Sequence, residues 1–376
     1  MSEPANAAPR GGASLTFRGG GWVILLAAIL VVVLLGWSLL GPILGRRPVG
    51  DGRTLESYRF DLTTLLVPRE SLQPSGNPRG FLASLDFPDH LRGAEMLAYN
   101  ETNRPKYVVT TDRVLGIVIA GKAHAWPLSM LNAHEVVNDT VAGVPVVATY
   151  SPLCDAAIVF NRTVGGEPRL FEVSGLLVDS NLVFCDKAVS DGAATTSHVP
   201  SLFLQLERRA IAGPLAAAGT TLEVLPGACI TTWADWLATH PETTVTLRDP
   251  QMIRRMKEIS YSRYFLSASL EYPAEPMPSQ ADMTARGLRL KSPMIAFELE
   301  SGWKVVPVEA MVAKAAGSRQ LSFACDGVAL KAHLPSGPAV ARLERADGTP
   351  LRTLPCLHFA AEAVFRPHTP ITAAAP

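Results

Sequence analysis

Charge is scarce in this sequence. Only 18% of the residues are charged, the formal net charge is zero, and no run of like charges stands out. Without a basic stripe there is no electrostatic footprint for a phosphate backbone, so nucleic acid is not expected as a partner. Cysteine is scarce as well: there are five, at Cys154, Cys185, Cys229, Cys325 and Cys356. Their spacing fits neither a zinc ribbon nor a dense disulfide framework. No G-x-S-x-G occurs, so a Ser-His-Asp hydrolase would lack its nucleophile elbow. There is no alternation of strands and long helices to suggest a Rossmann sheet. "GIVIAGKA" (116–123) has no hydroxyl residue after Lys122 to hold magnesium, and its Ile-Val-Ile belongs to a strand, which excludes a phosphate-binding loop. "HEVVN" (134–138) has Asn138 where a zinc peptidase helix needs its second histidine, which argues against a peptidase.

Charge is absent altogether from Gly19 to Gly45, where "WVILLAAILVVVLLGWSLL" is almost wholly apolar. An apolar helix of about 20 residues spans a bilayer, and no clean A-x-A cleavage site follows, so residues 20–45 read as an uncleaved signal anchor. Trp22 and Trp37 near its ends suit the membrane interface. This makes the lipid bilayer an expected partner, with residues 1–19 as a short tail. Arg46, Arg47 and Arg53 after the span outnumber Arg10 and Arg18 before it, which by count alone favours a cytoplasmic C-terminal part. The short, Arg-flanked, signal-like N-terminus favours the opposite side.

Beyond the anchor, residues 46–84 are rich in Pro, Gly and Arg ("PRESLQPSGNPRG") and read as a linker. "RPHTPITAAAP" at the other end reads as a frayed tail, with 370–376 outside the folded part. Between them, "VLGIVIAGKAHAWPLSML" (114–131) aligns without gaps on "MIAFELESGWKVVPVEAM" (294–311). Each reads as strand, tight turn, strand, then a proline opening a short helix. "LPGACITTWADWLATHPET" (225–243) and "LPCLHFAAEAVFRPHT" (354–369) form a weaker second match. In the former, Thr231 or Thr232 can cap a helix whose buried face carries Trp233, Trp236 and Leu237. The expected architecture is therefore α+β, mainly antiparallel, with short helices and an internal duplication. Its first half is 85–250, carrying a β-rich insert, and its shortened second half is 251–369.

The insert holds the residues with chemistry. Cys154 follows the turn-prone "SPL", a placement that would present a thiol at a loop tip or strand start. His134 is the nearest imidazole in sequence, and a Cys-His pair suits an activated nucleophile or a soft-metal site. Cys154 and His134 are thus the candidate catalytic residues, with Glu135 and Asp155 orienting them. Cys154, His134 and His358 are the candidate metal ligands, with copper or zinc as the metal. His134, Glu135, Asn138 and Asp139 form a dense polar group, which reads equally well as a helix C-terminus followed by an Asn-Asp turn. Cys185, Cys229 and Cys325 read as structural. In the alternative reading the chain is a non-catalytic binding or assembly scaffold in which Cys154 packs as a small hydrophobe, so whether it is an enzyme stays open.

"MLNAHEVVNDTVAGVPVVATYSPLCDAAIVFNR" and then "FEVSGLLVDSNLVFCDK" resemble the family designated domain of unknown function 3179. The likeness continues through "AIAGPLAAAGTTLEVLP" and "TTWADWLATHPET", covering about residues 85–250 and, more weakly, 285–369. Members resemble membrane-anchored or exported bacterial proteins, some named as candidate selenoproteins. The resemblance implies an extracytoplasmic (periplasmic) folded part and a redox-capable site at a C-P-L-C element, with the family's histidine at His134 and its second cysteine at Cys154. This chain departs from the pattern at Ser151, which stands in place of the first cysteine. A lone thiol cannot cycle through an internal disulfide, which leaves a monothiol, a metal site or a scaffold. Phe184 stands where the family has tyrosine, and the tryptophan before the glutamine is also changed, within "SLFLQ".

Overall fold

The computed structural model describes residues 21–43, 49–187, 198–249, 261–334, 340–365 and 372–373. The chain divides into two compact units, Met1–Pro48 and Val49–Pro376. In the first, the described part is one helix, Gly21–Ile43. Its apolar side chains from Val23 to Leu35 are exposed, and its side chains beyond Trp37 lie outside the described residues. Among the described residues, no helix is long and apolar enough to cross a membrane. The expected tail 1–19 and both ends of the expected span 20–45 lie outside the described residues.

The second unit is mainly antiparallel β with short helices, the α+β class that the strand-rich runs predict. Val144–Ser151 and Ala156–Asn161 are rich in β-branched and aromatic residues and buried at nearly every position, as expected of strands covered on both faces. Together with Val136–Val141 they form one sheet. The turn at Ala142–Gly143 has positive φ at both residues (51° and 81°), the backbone that matches the twist of a two-residue hairpin. A second sheet contains Leu170–Val178, Asn181–Lys187 and Leu202–Leu204. Asn138 ties the two sheets: its side chain donates to the Phe171 carbonyl at 2.8 Å and accepts from the Phe171 N–H at 2.9 Å.

Two hairpin–helix units have matching bounds. Arg113–Ile119, Lys122–Pro127 and Leu128–His134 correspond in length and order to Pro293–Leu299, Gly302–Pro307 and Val308–Lys314. Pro127 and Pro307 both end the second strand and sit just ahead of the helix, rather than inside its first turn. Each first strand takes a further antiparallel neighbour, Cys229–Thr232 or Thr353–Leu357. Thr232 lies opposite Arg113 and Leu357 opposite Pro293, so Leu354 answers to Cys229 rather than to Leu225, as the Leu-Pro match suggests. The chain then enters a helix at Trp233 or His358. Thr232 caps the first of these by accepting from the Asp235 N–H at 3.2 Å. A Cβ at Gly116 would lie 2.6 Å from the Trp236 ring, so only glycine lets that helix settle on its strand.

One apolar core runs through both halves, with Trp126, Val159, Phe297 and Phe323 among its members. The segment expected as a linker carries packed structure from Val49 onward. Tyr58 is fully buried, and Leu72–Pro74 pairs with Leu170–Val178. At the other end, Thr372–Ala373 of the expected tail pairs with Gln320–Cys325.

Candidate functional site

The residues singled out by the sequence are distributed over several places. Cys154 ends a short 3-10 turn, Pro152–Cys154, between two strands, and its burial is complete. It is not at an exposed loop tip, because the turn is folded inward under the second sheet. Its Sγ donates to the Ser180 carbonyl at 3.3 Å. Burial pushes the thiol up to about 12, against opposing hydrogen bonds from the Ser151 and Asn181 side chains. All five cysteines are free and buried. Asp155 turns to other partners: Arg113 grips both its oxygens, at 3.0 and 2.8 Å, and Tyr150 donates to it at 2.8 Å.

His134 closes the helix Leu128–His134. Its Nδ1 donates to the Ala83 carbonyl at 2.7 Å, and its buried Nε2 has no hydrogen-bond partner among the described residues. Burial lowers its pKa. His358 is buried at the start of its helix, with Nδ1 bonded to the Arg289 carbonyl at 3.1 Å. Among the described residues, Cys154, His134 and His358 do not form a group with ligand atoms in common reach. Asn138 and Asp139 lie within the strand Val136–Val141, not in a turn. The positive φ falls instead on Glu135, at 54°.

The group that does converge is His90, His124 and Asp139, whose ligand atoms all lie within 4.8 Å of one another. Strand pairing builds it. His124 faces Thr244 across one strand pair, and His90 faces Thr246 across the next, so two imidazoles flank a threonine strand on one sheet. Their ring centroids are 4.4 Å apart. Asp139 reaches in from the neighbouring sheet, its oxygens each 3.0 Å from His90 Nε2 and the nearer 3.6 Å from His124 Nε2. Trp126 Nε1 donates to Asp139 at 3.0 Å, the Thr140 N–H donates at 2.7 Å, and Thr244 holds His124 Nδ1 at 2.7 Å. Such outer contacts orient ligands around a metal. Around a tetrahedral ion with bonds of about 2.0 Å, neighbouring ligands lie about 3.3 Å apart, and 3.0 and 3.6 Å bracket that spacing.

The electrostatics of the group are asymmetric. Burial drives His124 down to about 3, so its imidazole is neutral. Burial also works against an ionised Asp139, but the His90 hydrogen bond, helped by the Thr140 N–H, holds its carboxyl below the usual value. Only His90 is partly open, with 28% of its side chain exposed. Sequence reading passed over His90 and His124. The signal available was the alternation in "KAHAWP", which points His124 and Trp126 to the same inward face.

A second feature gathers three of the quoted motifs. A cavity of about 180 Å³ is lined by Glu135, by Ser151 to Leu153, and by Gly175 to Leu177. Glu135 keeps some accessible surface although protein surrounds it, because that surface faces the cavity. Burial alone raises its carboxyl to about 8.

The fold and these buried polar groups define a mainly antiparallel α+β protein with a metal-competent His-His-Asp cluster. A family model described as a protein of unknown function (DUF3179) matches residues 91–337, more than half of the chain. The chain belongs to that family. The match runs on into the second half as far as residue 337, where the sequence resemblance is weaker. No curated protein matches this chain. No solved structure matches it.

Proposed function

We propose that this protein handles a borderline metal, zinc or copper(II), on His90, His124 and Asp139. The observation that carries the reading is the convergence of these three side chains from two sheets, within 4.8 Å and with one partly open member. Imidazole and carboxylate suit zinc and copper(II) better than copper(I), which prefers sulfur. Three protein ligands leave a fourth position for water or a small ligand, the pattern of open rather than purely structural sites. We place the protein at the membrane, anchored through residues 20–45 with the folded part outside the cytoplasm. The apolar, charge-free stretch and the family's exported character support this. The duplication belongs to the same proposal, supported by the matched hairpin–helix bounds.

Cys154 as thiolate or nucleophile is the second reading. Ser151 and Asn181 favour it, since both offer hydrogen bonds to the sulfur. The two readings separate in one experiment. Zinc and copper(II) are titrated calorimetrically into full-length wild type, His90→Asn, and Cys154→Ala. The first reading expects one equivalent bound by wild type and by Cys154→Ala, with affinity at least about tenfold weaker in His90→Asn, as for loss of a ligand or its supporting contact. Binding that is lost in Cys154→Ala and kept in His90→Asn would overturn it in favour of the thiol.

A further inference from the structure

The Glu135 cavity is separate in residues from the His-His-Asp group and calls for its own ligand. Glu135 carries two local costs at once. It sits in the left-handed region, φ 54°, which costs an L-residue about 1–2 kcal/mol, and glycine or asparagine is the usual choice at a helix end. Its carboxylate has neither a hydrogen bond nor an ion pair among the described residues, and no charged neighbour offsets its burial. Costs of that kind concentrate where a ligand will use them.

The cavity wall narrows the ligand's chemistry. Its walls are largely aliphatic, with Leu82, Leu153 and Leu177 among them, and Phe81, Tyr261 and Tyr272 add aromatic rings. A second carboxylate, Glu271, also lines it. Among the described lining residues there is no lysine, arginine or histidine. Two acidic groups, aromatic faces and apolar walls with no cation suit a positively charged guest that brings its own aliphatic stem. An anion would find no cation among the described lining residues.

We infer that this cavity binds a primary ammonium group on a short aliphatic chain, held by Glu135. The same chemistry could come from a free alkylamine or from the side chain of a lysine in a polypeptide. Binding transfers the Glu135 proton to solvent and leaves a carboxylate–ammonium pair; nothing else is made or broken. The titratable groups facing Glu135 across the cavity are Tyr261, Tyr272 and Glu271. Burial raises both tyrosines, so they stay neutral through the range tested. Because a proton must leave, affinity rises about tenfold from pH 6 to pH 7 and levels off above about pH 8.

The test is calorimetric titration of n-butylammonium into the full-length protein at pH 6, 7 and 8. Buffers of different ionisation heat count the released proton, and 1-butanol is the neutral control. The expected result is ammonium binding that tightens with pH, about one proton released at pH 6–7, and butanol at least tenfold weaker. In Glu135→Gln the proton release disappears and binding at pH 8 falls at least tenfold. A lysine-containing peptide and its acetyl-lysine counterpart identify the source. Binding to the lysine form tighter than to butylammonium assigns a polypeptide, and no gain assigns a free amine. Equal binding of butanol and butylammonium, no ammonium binding, or binding without proton release in wild type would overturn the inference, whatever the variant does.

Discussion

The two hairpin–helix units use the same elements for different ends. Shifting the first unit by 180 positions (294 minus 114) lays His124 on Lys304 and Trp126 on Val306; carried past the helix, the same shift lays Glu135 on Ala315 and Asp139, which is inside the strand Val136–Val141, on Arg319, which precedes the strand Gln320–Cys325. In the first unit these positions are buried or turned to a cavity. In the second, Lys304 forms a rim salt bridge to Asp326 at 2.5 Å, and Arg319 an exposed one to Asp235 at 3.2 Å. Ala315 keeps an ordinary helical backbone, and φ becomes positive only at Ala316. A hairpin followed by a short helix therefore does not need a buried histidine, a buried aspartate or a strained glutamate. The polar residues in and just after the first unit are not required by a hairpin–helix scaffold, and their costs are local.

The sharpest way to break the contrast is to truncate the aspartate. Asp139→Ala leaves His90, Trp126 and the Thr140 N–H without their common acceptor. It should cost about 3 kcal/mol, as for removal of one partner of a buried charged network, whereas Arg319→Ala should cost less than about 1 kcal/mol. Urea unfolding midpoints of the two variants, compared at one pH, decide it; equal costs would erase the distinction between the units.

An effect of comparable size comes from Glu135. Its folded pKa of about 8 stands above the ordinary 4.5, so between those values the folded state holds a proton that the unfolded state has lost. Stability from this group is fully present below about pH 4.5, declines as pH rises, and levels off above about pH 8. The difference in unfolding free energy between wild type and Glu135→Gln should follow that decline and amount to a few kcal/mol in total. A difference that stays flat from pH 5 to pH 8 would show that the carboxyl is not held in a poorly solvated site.

The smallest effect compares the two third-strand helices. Thr232 caps one through its hydroxyl, while Leu357 at the same place cannot cap the other. Thr232→Ala should cost about 1 kcal/mol, and Leu357→Ala should act only through lost packing. Thermal unfolding with hydrogen exchange over 233–239 distinguishes a frayed helix from a general loss.

Much of this scaffold was legible in the sequence. Proline and glycine punctuation in 114–131 and 294–311 marks the hairpins, and Thr232 with Trp233 and Trp236 marks the capped helix. The packed segment after Val49 was not legible, because Tyr58 and Leu72 are isolated apolar residues among prolines and arginines, with no periodicity to reveal them. The site was legible in one member only. Asp139 stood inside a quoted polar cluster, but its partners come from strands that are distant in sequence, and strand pairing brought in His90 and His124. Cys154 was misjudged for accessibility, because "SPL" predicts a turn and says nothing about which side of the turn the rest of the chain covers.

The burial of five unpaired cysteines also bears on how the protein is made. In the native state the thiols are shielded, and no disulfide is available to repair or to lose. During folding all five are exposed at once, and an odd number of thiols cannot all be quenched by pairing within the chain. In an oxidising compartment, maturation becomes a race in which collapse of the core must outrun oxidation. A chain that loses the race is trapped by a crosslink that the finished fold has no place for.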